Sequence, residues 1–228
     1  SWNGTSWSEI ADLNTARQLN SGAGASNTNA LSVGNFKPSP ASPPVAAIVE
    51  SWNGTSWTEV SDLNTGRSYT TSSGNTNTDV TTSGGMAGDS PGATYNNTEL
   101  WNGSTWTETS NLSTARGRSS TLGGAAGSAI QAGGNGVVTT VEEWTGAGAP
   151  VGAWSTGGSV NTARNRIAGA GVSSSASLIM GGEDPSGSLA LTESYDGSTW
   201  TEVNDLNQAR KALGGCGTYT SALAFAGN

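Results

Sequence analysis

A tryptophan, nine residues and an arginine: this interval occurs five times in the chain, as Trp7/Arg17, Trp57/Arg67, Trp106/Arg116, Trp154/Arg164 and Trp200/Arg210. Eighteen residues beyond each arginine stands the second member of a Gly-Gly or Gly-Asn pair, at Asn35, Gly85, Gly134, Gly182 and Asn228. The fullest copy reads Trp52-Asn53-Gly54-Thr55-Ser56-Trp57 and runs on to Arg67; its counterparts begin at Trp2, Trp101, Trp144 and Tyr195. A period of 46 to 50 residues makes each copy one supersecondary unit that buries its apolar face only by stacking on its neighbours.

Each unit divides into four short strands. Asn-Gly between strand-like runs is a strong hairpin signal because both residues accept positive φ. It stands at Asn3-Gly4, Asn53-Gly54 and Asn102-Gly103, with Asp196-Gly197 in the last copy. Read as a two-residue loop, it sets the two aromatic residues diagonally on one face of the hairpin. After the arginine come runs of very small residues such as Ser21-Gly22-Ala23-Gly24, Ala168-Gly169-Ala170-Gly171 and Gly214-Gly215-Cys216-Gly217. Glycine weakens an isolated strand and marks close backbone approach, as strands crowding round a common axis require. A more apolar run, for example Ser177-Leu178-Ile179-Met180, leads to the glycine pair. Only 33% of the 228 residues are hydrophobic and 11% are charged, yet nine Trp at fixed places carry burial that a disordered chain lacks.

Four antiparallel strands repeated round an axis make a β-propeller blade. The order glycine pair, aromatic, Trp, Arg resembles the kelch repeat, most closely at Gly181-Gly182, Tyr195-Asp196 and Trp200. Gly84-Gly85 and Gly133-Gly134 also match, whereas Gly34-Asn35 and Gly227-Asn228 depart from the pattern, and Trp2, Trp52, Trp101 and Trp144 replace its tyrosine. The expectation is an all-β, five-bladed propeller of four-stranded antiparallel blades in a single domain spanning 1–228. Its blades lie at about 16–63, 66–112, 115–160 and 163–206, with a fifth shared between 209–228 and 1–13 to close the ring.

Chemistry is sparse. With no His, the chain has no Ser-His-Asp or Cys-His system and no imidazole metal ligand, and Cys216 is its single thiol. The copper sites held by His and Tyr in some kelch-like enzymes are therefore unavailable to it, and the chain is expected to be no enzyme and to hold no cofactor or metal. Glu142-Glu143 and Glu183-Asp184 are paired carboxylates without the spacing of a calcium loop. Arg17, Arg67, Arg116, Arg164 and Arg210 either form an anion site near the axis or pair, within or between blades, with recurring glutamates: Glu50, Glu99, Glu142 and Glu193 before the first aromatic, or Glu9, Glu59, Glu108 and Glu202 after the second Trp; recurrence of the opposite charge favours pairing. Together with Trp7, Trp57, Trp106, Trp154 and Trp200 they are expected to be structural.

Length variation collects in the connections between second and third strands, which alternation of strand direction puts at the same end as the arginines. Phe36, Lys37, Pro38, Met86, Asp89, Glu183 and Asp184 are the candidate contact residues there. A net charge of −8 disfavours a nucleic-acid partner, and no apolar run is long enough for membrane insertion by a helix. The composition suits a structural or adhesion module of an extracellular or virion assembly, such as a phage tail or capsid appendage, contacting protein subunits or a surface glycan. The alternatives are an intracellular kelch-type protein-binding module and a sugar-binding propeller.

Overall fold

A computed structural model describes residues 1, 3–36, 45–88, 93–135, 137–146 and 152–228. The first sheet contains β1 (Ser21–Ser26), β2 (Asn29–Phe36), β3 (Val45–Trp52) and β4 (Trp57–Val60), paired in chain order. The second contains β5 (Thr71–Thr76), β6 (Asp79–Ser83), β7 (Thr98–Trp101) and β8 (Trp106–Thr109). The third contains β9 (Ser120–Ala125), β10 (Ser128–Ala132), β11 (Val141–Thr145) and β12 (Ala153–Thr156). The fourth starts with β13 (Ala168–Ser173) and β14 (Ala176–Met180). The small hairpin β15 (Glu183–Asp184) and β16 (Gly187–Ser188) follows, and then β17 (Thr192–Tyr195) and β18 (Trp200–Val203). β19 (Gly214–Thr218) and β20 (Ser221–Phe225) form a fifth sheet of two strands. All pairings are antiparallel.

The small-residue strands are innermost: β1 lies beside β5, β5 beside β9, β9 beside β13 and β13 beside β19. Glycines and small side chains of β1, β5, β13 and β19 line an axial cavity of about 820 Å³. The architecture is thus an all-β propeller of radially placed antiparallel sheets, four of them four-stranded. The expected fifth set of four strands is represented among the described residues by two.

The core lies between consecutive blades. Leu31, Val33, Val49 and Leu63 of the first meet Val80, Trp101 and Trp106 of the second. Ile130, Ala132 and Val141 of the third meet Ile179, Tyr195 and Trp200 of the fourth. Between the second and third the contact is largely hydroxyl and amide: Ser83 Oγ donates to Gln131 Oε1 at 2.9 Å, and Ser73 Oγ donates to the Ala125 carbonyl at 3.2 Å. Buried hydroxyls such as these are tolerated because they find partners.

The glycine pair and the arginine are tied across this boundary. Gly84 has φ +63°, and a Cβ there would stand 2.5 Å from the Arg116 carbonyl of the next blade. The Gly85 amide donates to that same carbonyl at 2.9 Å. Gly34, Gly133 and Gly181 meet the carbonyls of Arg67, Arg164 and Arg210 in the same way. The fixed interval itself sets Gly85 against its own Arg67, where a Cβ would stand 3.2 Å from Arg67 Cδ, while the glycine before it meets the arginine carbonyl of the next blade. Gly227 differs, its nearest neighbours being Lys211 and Leu213 of its own repeat.

Two local expectations change. The aromatic pairs sit directly opposite one another, Trp52 to Trp57, Trp101 to Trp106, Trp144 to Trp154 and Tyr195 to Trp200, instead of diagonally. In the three short hairpins the reason is a four-residue loop, as in the first blade: Asn53 Oδ1 accepts the amides of Thr55 and Ser56, each at 2.9 Å, and the Asn53 amide donates to the Ser56 carbonyl. The second change concerns β19–β20. In the four complete blades the residue four beyond the arginine pairs with the residue sixteen beyond it, as in Ser21 with Val33 or Ala168 with Met180, and a bulge follows. Gly214 pairs instead with Phe225 and there is no bulge. Such a one-residue slip exchanges the faces of a strand. Ala224 consequently packs towards Met180, while Phe225 lies 6.5 Å from the Trp7 ring.

Candidate functional site: the axial mouth at the arginine end

Four of the five repeat arginines are latched within their own blades. Arg67 Nη2 lies 2.8 Å from Glu99 Oε1, and Nη1 donates to the Asn97 carbonyl at 2.9 Å. The other Glu99 oxygen accepts the Asn64 amide and side chain at 2.8 and 2.9 Å. Arg17 with Glu50, Arg116 with Glu142 (2.6 Å) and Arg164 with Glu193 (2.5 Å) repeat the arrangement, all with buried side chains. Burial lowers the pKa of Arg67 and Arg116, and the neighbouring glutamates oppose that shift. Arg210, by contrast, donates to the Ala226 carbonyl and to Gln208 Oε1.

The aromatic pairs meet at ring distances of 4.8 to 5.5 Å, Tyr195 and Trp200 stacked and the three Trp pairs tilted, and Trp106 and Trp200 are buried. Trp57 and Trp154 are half-buried. Trp7, in the first hairpin, is 66% exposed. Trp106 Nε1 donates to the Ser61 carbonyl at 3.0 Å and Trp200 Nε1 to that of Gly158 at 2.8 Å, so each aromatic also tethers a neighbouring connection. Burial and donation to Glu143 push the Tyr195 phenol up to about 12.

The variable connections do lie at the arginine end: Gln18 bridges to Phe36, Ser68 to Met86 and Asn165 to Glu183. Phe36 ends β2. Met86 is buried at 2% exposure and bridges Ser68 and Thr94, so it anchors its loop. Asp184 Oδ1 accepts the amides of Ser186 and Gly187, closing the β15–β16 turn. Glu183 reaches inward, 3.1 Å from Arg166 and 2.6 Å from Lys211. Lys37, Pro38 and Asp89 lie outside the described residues.

Inside this rim is a site that sequence reasoning missed. Two residues beyond each repeat arginine stand Leu19, Tyr69, Arg118, Arg166 and Ala212, with φ of 59°, 50°, 57°, 53° and 53°. Five non-glycine residues in the left-handed region at equivalent positions are a clustered backbone strain of the kind that marks binding surfaces. The strain is held by hydrogen bonds from blade to blade: Tyr69 N to Leu19 O at 2.9 Å, Arg166 N to Arg118 O at 3.2 Å and Ala212 N to Arg166 O at 2.9 Å. The necklace turns all five side chains to the axial mouth, where they line a cavity of about 370 Å³ with Asn20, Thr70, Ser119, Ile167 and Leu213. The Arg118 guanidinium carbon lies 4.7 Å from the centre of the Tyr69 ring, a cation–π contact. The legible signal was variation inside an otherwise constant motif, since these five positions differ while the arginine before them does not.

Charge sorts the molecule. Of nine basic residues, five are the repeat arginines. Arg118, Arg166 and Lys211 stand at the mouth or its rim, where Glu183 pairs with Arg166 and Lys211. An acidic chain therefore turns a locally cationic, hydroxyl- and amide-lined end to solvent. Among the described residues no cluster of metal-ligating side chains is present, and Cys216 is a free, exposed thiol.

No protein-family model matches the chain, and no curated protein matches it significantly. Among solved structures it is similar to that of YjhT, with a TM-score of 0.69 at 12% identity, covering 91% of this chain and 71% of that one. At this identity the likeness speaks to fold alone, and with the sheets described above it makes the chain a β-propeller.

Proposed function

We propose that the chain is a non-enzymatic adhesion module of an extracellular or virion assembly that recognises an anionic surface glycan at the axial mouth. The observation that carries the reading is the necklace of Leu19, Tyr69, Arg118, Arg166 and Ala212, which presents dissimilar side chains from a repeated, strained backbone. A flat aromatic ring suits a pyranose face, two arginines suit a carboxylate or sulfate, and Asn20, Thr70 and Ser119 suit hydroxyls. The finer architecture proposed with it is kelch-like and five-bladed, with the first hairpin completing the sheet of β19 and β20. In support, Asn27 Nδ2 donates to Ser1 Oγ as Asn77 Nδ2 donates to Ser51 Oγ between the first two blades.

The test is a glycan array on the intact chain and on Arg118→Gln, Arg166→Gln and Tyr69→Ala variants. Acidic glycans are expected to be retained over neutral ones. Either Gln variant should lose about tenfold in affinity, and raising salt should weaken what remains. Equal retention of neutral and acidic glycans, or no retention by a folded chain, refutes the glycan reading; subunit contact through the same loop end is then the better account.

A further inference from the structure

Four Asn-Gly dipeptides occur in the chain, and three of them stand in one repeated setting. In the first hairpin Asn3 Oδ1 accepts the amides of Thr5 and Ser6 at 2.9 and 2.8 Å. Asn53 Oδ1 accepts those of Thr55 and Ser56, and Asn102 Oδ1 those of Ser104 and Thr105, all at 2.9 Å. The glycines that follow, Gly4, Gly54 and Gly103, have φ of 94°, 94° and 93°, and their amides donate to no group among the described residues. All three asparagines are exposed, so water reaches them. The fourth dipeptide, Asn135-Gly136, lacks this cradle: Asn135 is half-buried and its Oδ1 accepts no hydrogen bond.

The β17–β18 hairpin holds a carboxylate where the others hold an amide. Asp196 Oδ1 accepts the amides of Ser198 and Thr199, each at 2.8 Å, and Oδ2 accepts the Thr199 hydroxyl at 3.2 Å. The Thr199 and Ser198 amides hold this carboxyl below the usual aspartate range. Gly197 has φ 96°, so the loop is the same one. The cradle therefore accepts aspartate without a change of backbone, and charge-assisted bonds are stronger than those to a neutral amide.

Asn-Gly is chemically labile because glycine, with no Cβ, lets its amide nitrogen reach the preceding side-chain carbonyl carbon. The bond from the glycine nitrogen to Cγ forms, Nδ2 leaves as ammonia, and a five-membered imide remains. Water then opens the imide at one of two carbonyls and returns a proton to the glycine nitrogen. Opening at Cγ restores the normal backbone and leaves aspartate; opening at the main-chain carbonyl leaves isoaspartate, with the side-chain carbons inserted in the backbone. Closure and opening both pass through a tetrahedral oxyanion. Two amides at 2.8 or 2.9 Å from the side-chain oxygen have the geometry of an oxyanion hole for attack at Cγ. Isoaspartate also lengthens a loop whose flanks, Trp52 and Trp57, pair directly, whereas aspartate leaves it unchanged.

We infer that Asn3, Asn53 and Asn102 are self-processing deamidation sites at which the fold directs the product to aspartate. Each conversion consumes one water, releases one ammonia and adds one negative charge to a chain already at −8. The charges arise at the end away from the arginines, where the outer hairpin packs on the inner one: a Cβ on Gly54 would stand 3.1 Å from Thr28. The sites lie apart from the axial mouth, so they stand or fall independently of glycan binding.

The test is peptide mapping of the full chain after incubation at mildly alkaline pH, folded in buffer and unfolded in urea, with electron-transfer fragmentation to separate aspartate from isoaspartate. In the folded chain aspartate should exceed isoaspartate by about tenfold at Asn53 and Asn102, a difference of about 1.4 kcal/mol between the two openings. In urea isoaspartate should predominate at all four dipeptides. Asn135 in the folded chain should convert more slowly and without the preference for aspartate. Asp196→Asn places the dipeptide in the fourth hairpin and should return to aspartate in the folded state. That variant is expected to fold, because the other hairpins carry asparagine there, and circular dichroism checks that it does. Isoaspartate in excess at the folded hairpins, hairpin asparagines that persist while the unfolded chain converts, or the same product ratio in urea or at Asn135 overturns the inference.

Discussion

Removing Glu99 tests how the blades hold together. Its side chain and that of Arg67 are 1% and 0% exposed, and they meet at 2.8 Å. Glu99→Ala leaves the guanidinium with the Asn97 carbonyl but no counter-charge, and strips the Asn64 amide and side chain of their acceptor. Breaking a buried pair from one side costs about 3–5 kcal/mol, chiefly because the surviving ion stays desolvated. Burial already lowers the Arg67 pKa, which puts that cost on the arginine. For a chain of this size each kcal/mol moves the melting temperature by about 2–4 °C, so Glu99→Ala should melt about 6–20 °C below the parent. Arg67→Met with Glu99→Leu removes both ions, and the exposed Asn64 turns to water. That double variant should lie within about 1–2 kcal/mol of the parent. Urea melts of parent, both singles and the double close the cycle. A Glu99→Ala loss below about 1 kcal/mol, the range of a solvent-screened pair, would falsify the desolvation argument, as would a double variant no better than the worse single.

Gly84→Ala should cost about 2–4 kcal/mol, from left-handed strain plus collision with the Arg116 carbonyl. Gly187→Ala, with φ +134° and nothing within 4 Å, should cost about 1–2 kcal/mol from strain alone, and equal losses in urea melts refute the inter-blade contact. The Tyr195 phenol has a folded pKa raised to about 12, so its contribution is complete below the ordinary tyrosine range and is lost as pH rises through 12. Melts between pH 9 and 12 should show that loss in the parent and not in Tyr195→Phe. Phe225→Ala should cost only about 1 kcal/mol, since the ring is 39% exposed in the slipped register. A cost of 3–5 kcal/mol, typical of a buried Phe, would place the ring against the fourth blade and restore the register of the other hairpins.

What the sequence determined by itself is local or repeated. The period, the alternation of Gly-rich and Trp-bearing strands and the Asn-Gly turns specify antiparallel sheets, because hairpin partners are near neighbours and each copy states the same preference again. The equal intervals from Trp57 to Arg67 and from Arg67 to Gly85 were legible as constraints, and matching charges pointed to glutamate as the partner of arginine. The tertiary structure decided the rest. Gly84 is glycine because the next blade's Arg116 carbonyl stands where a Cβ would be, a reason located 32 residues away in the chain. Leu19, Tyr69, Arg118 and Arg166 adopt a backbone that their own chemistry disfavours, held there by hydrogen bonds between blades. The face of Phe225 depends on a slip of one residue, which composition scarcely registers because three of the five residues of β19 are glycine. Local propensity sets which strands form; register, strain and the side chains gathered at the mouth follow from contacts between repeats, and those exist only once the blades stand side by side.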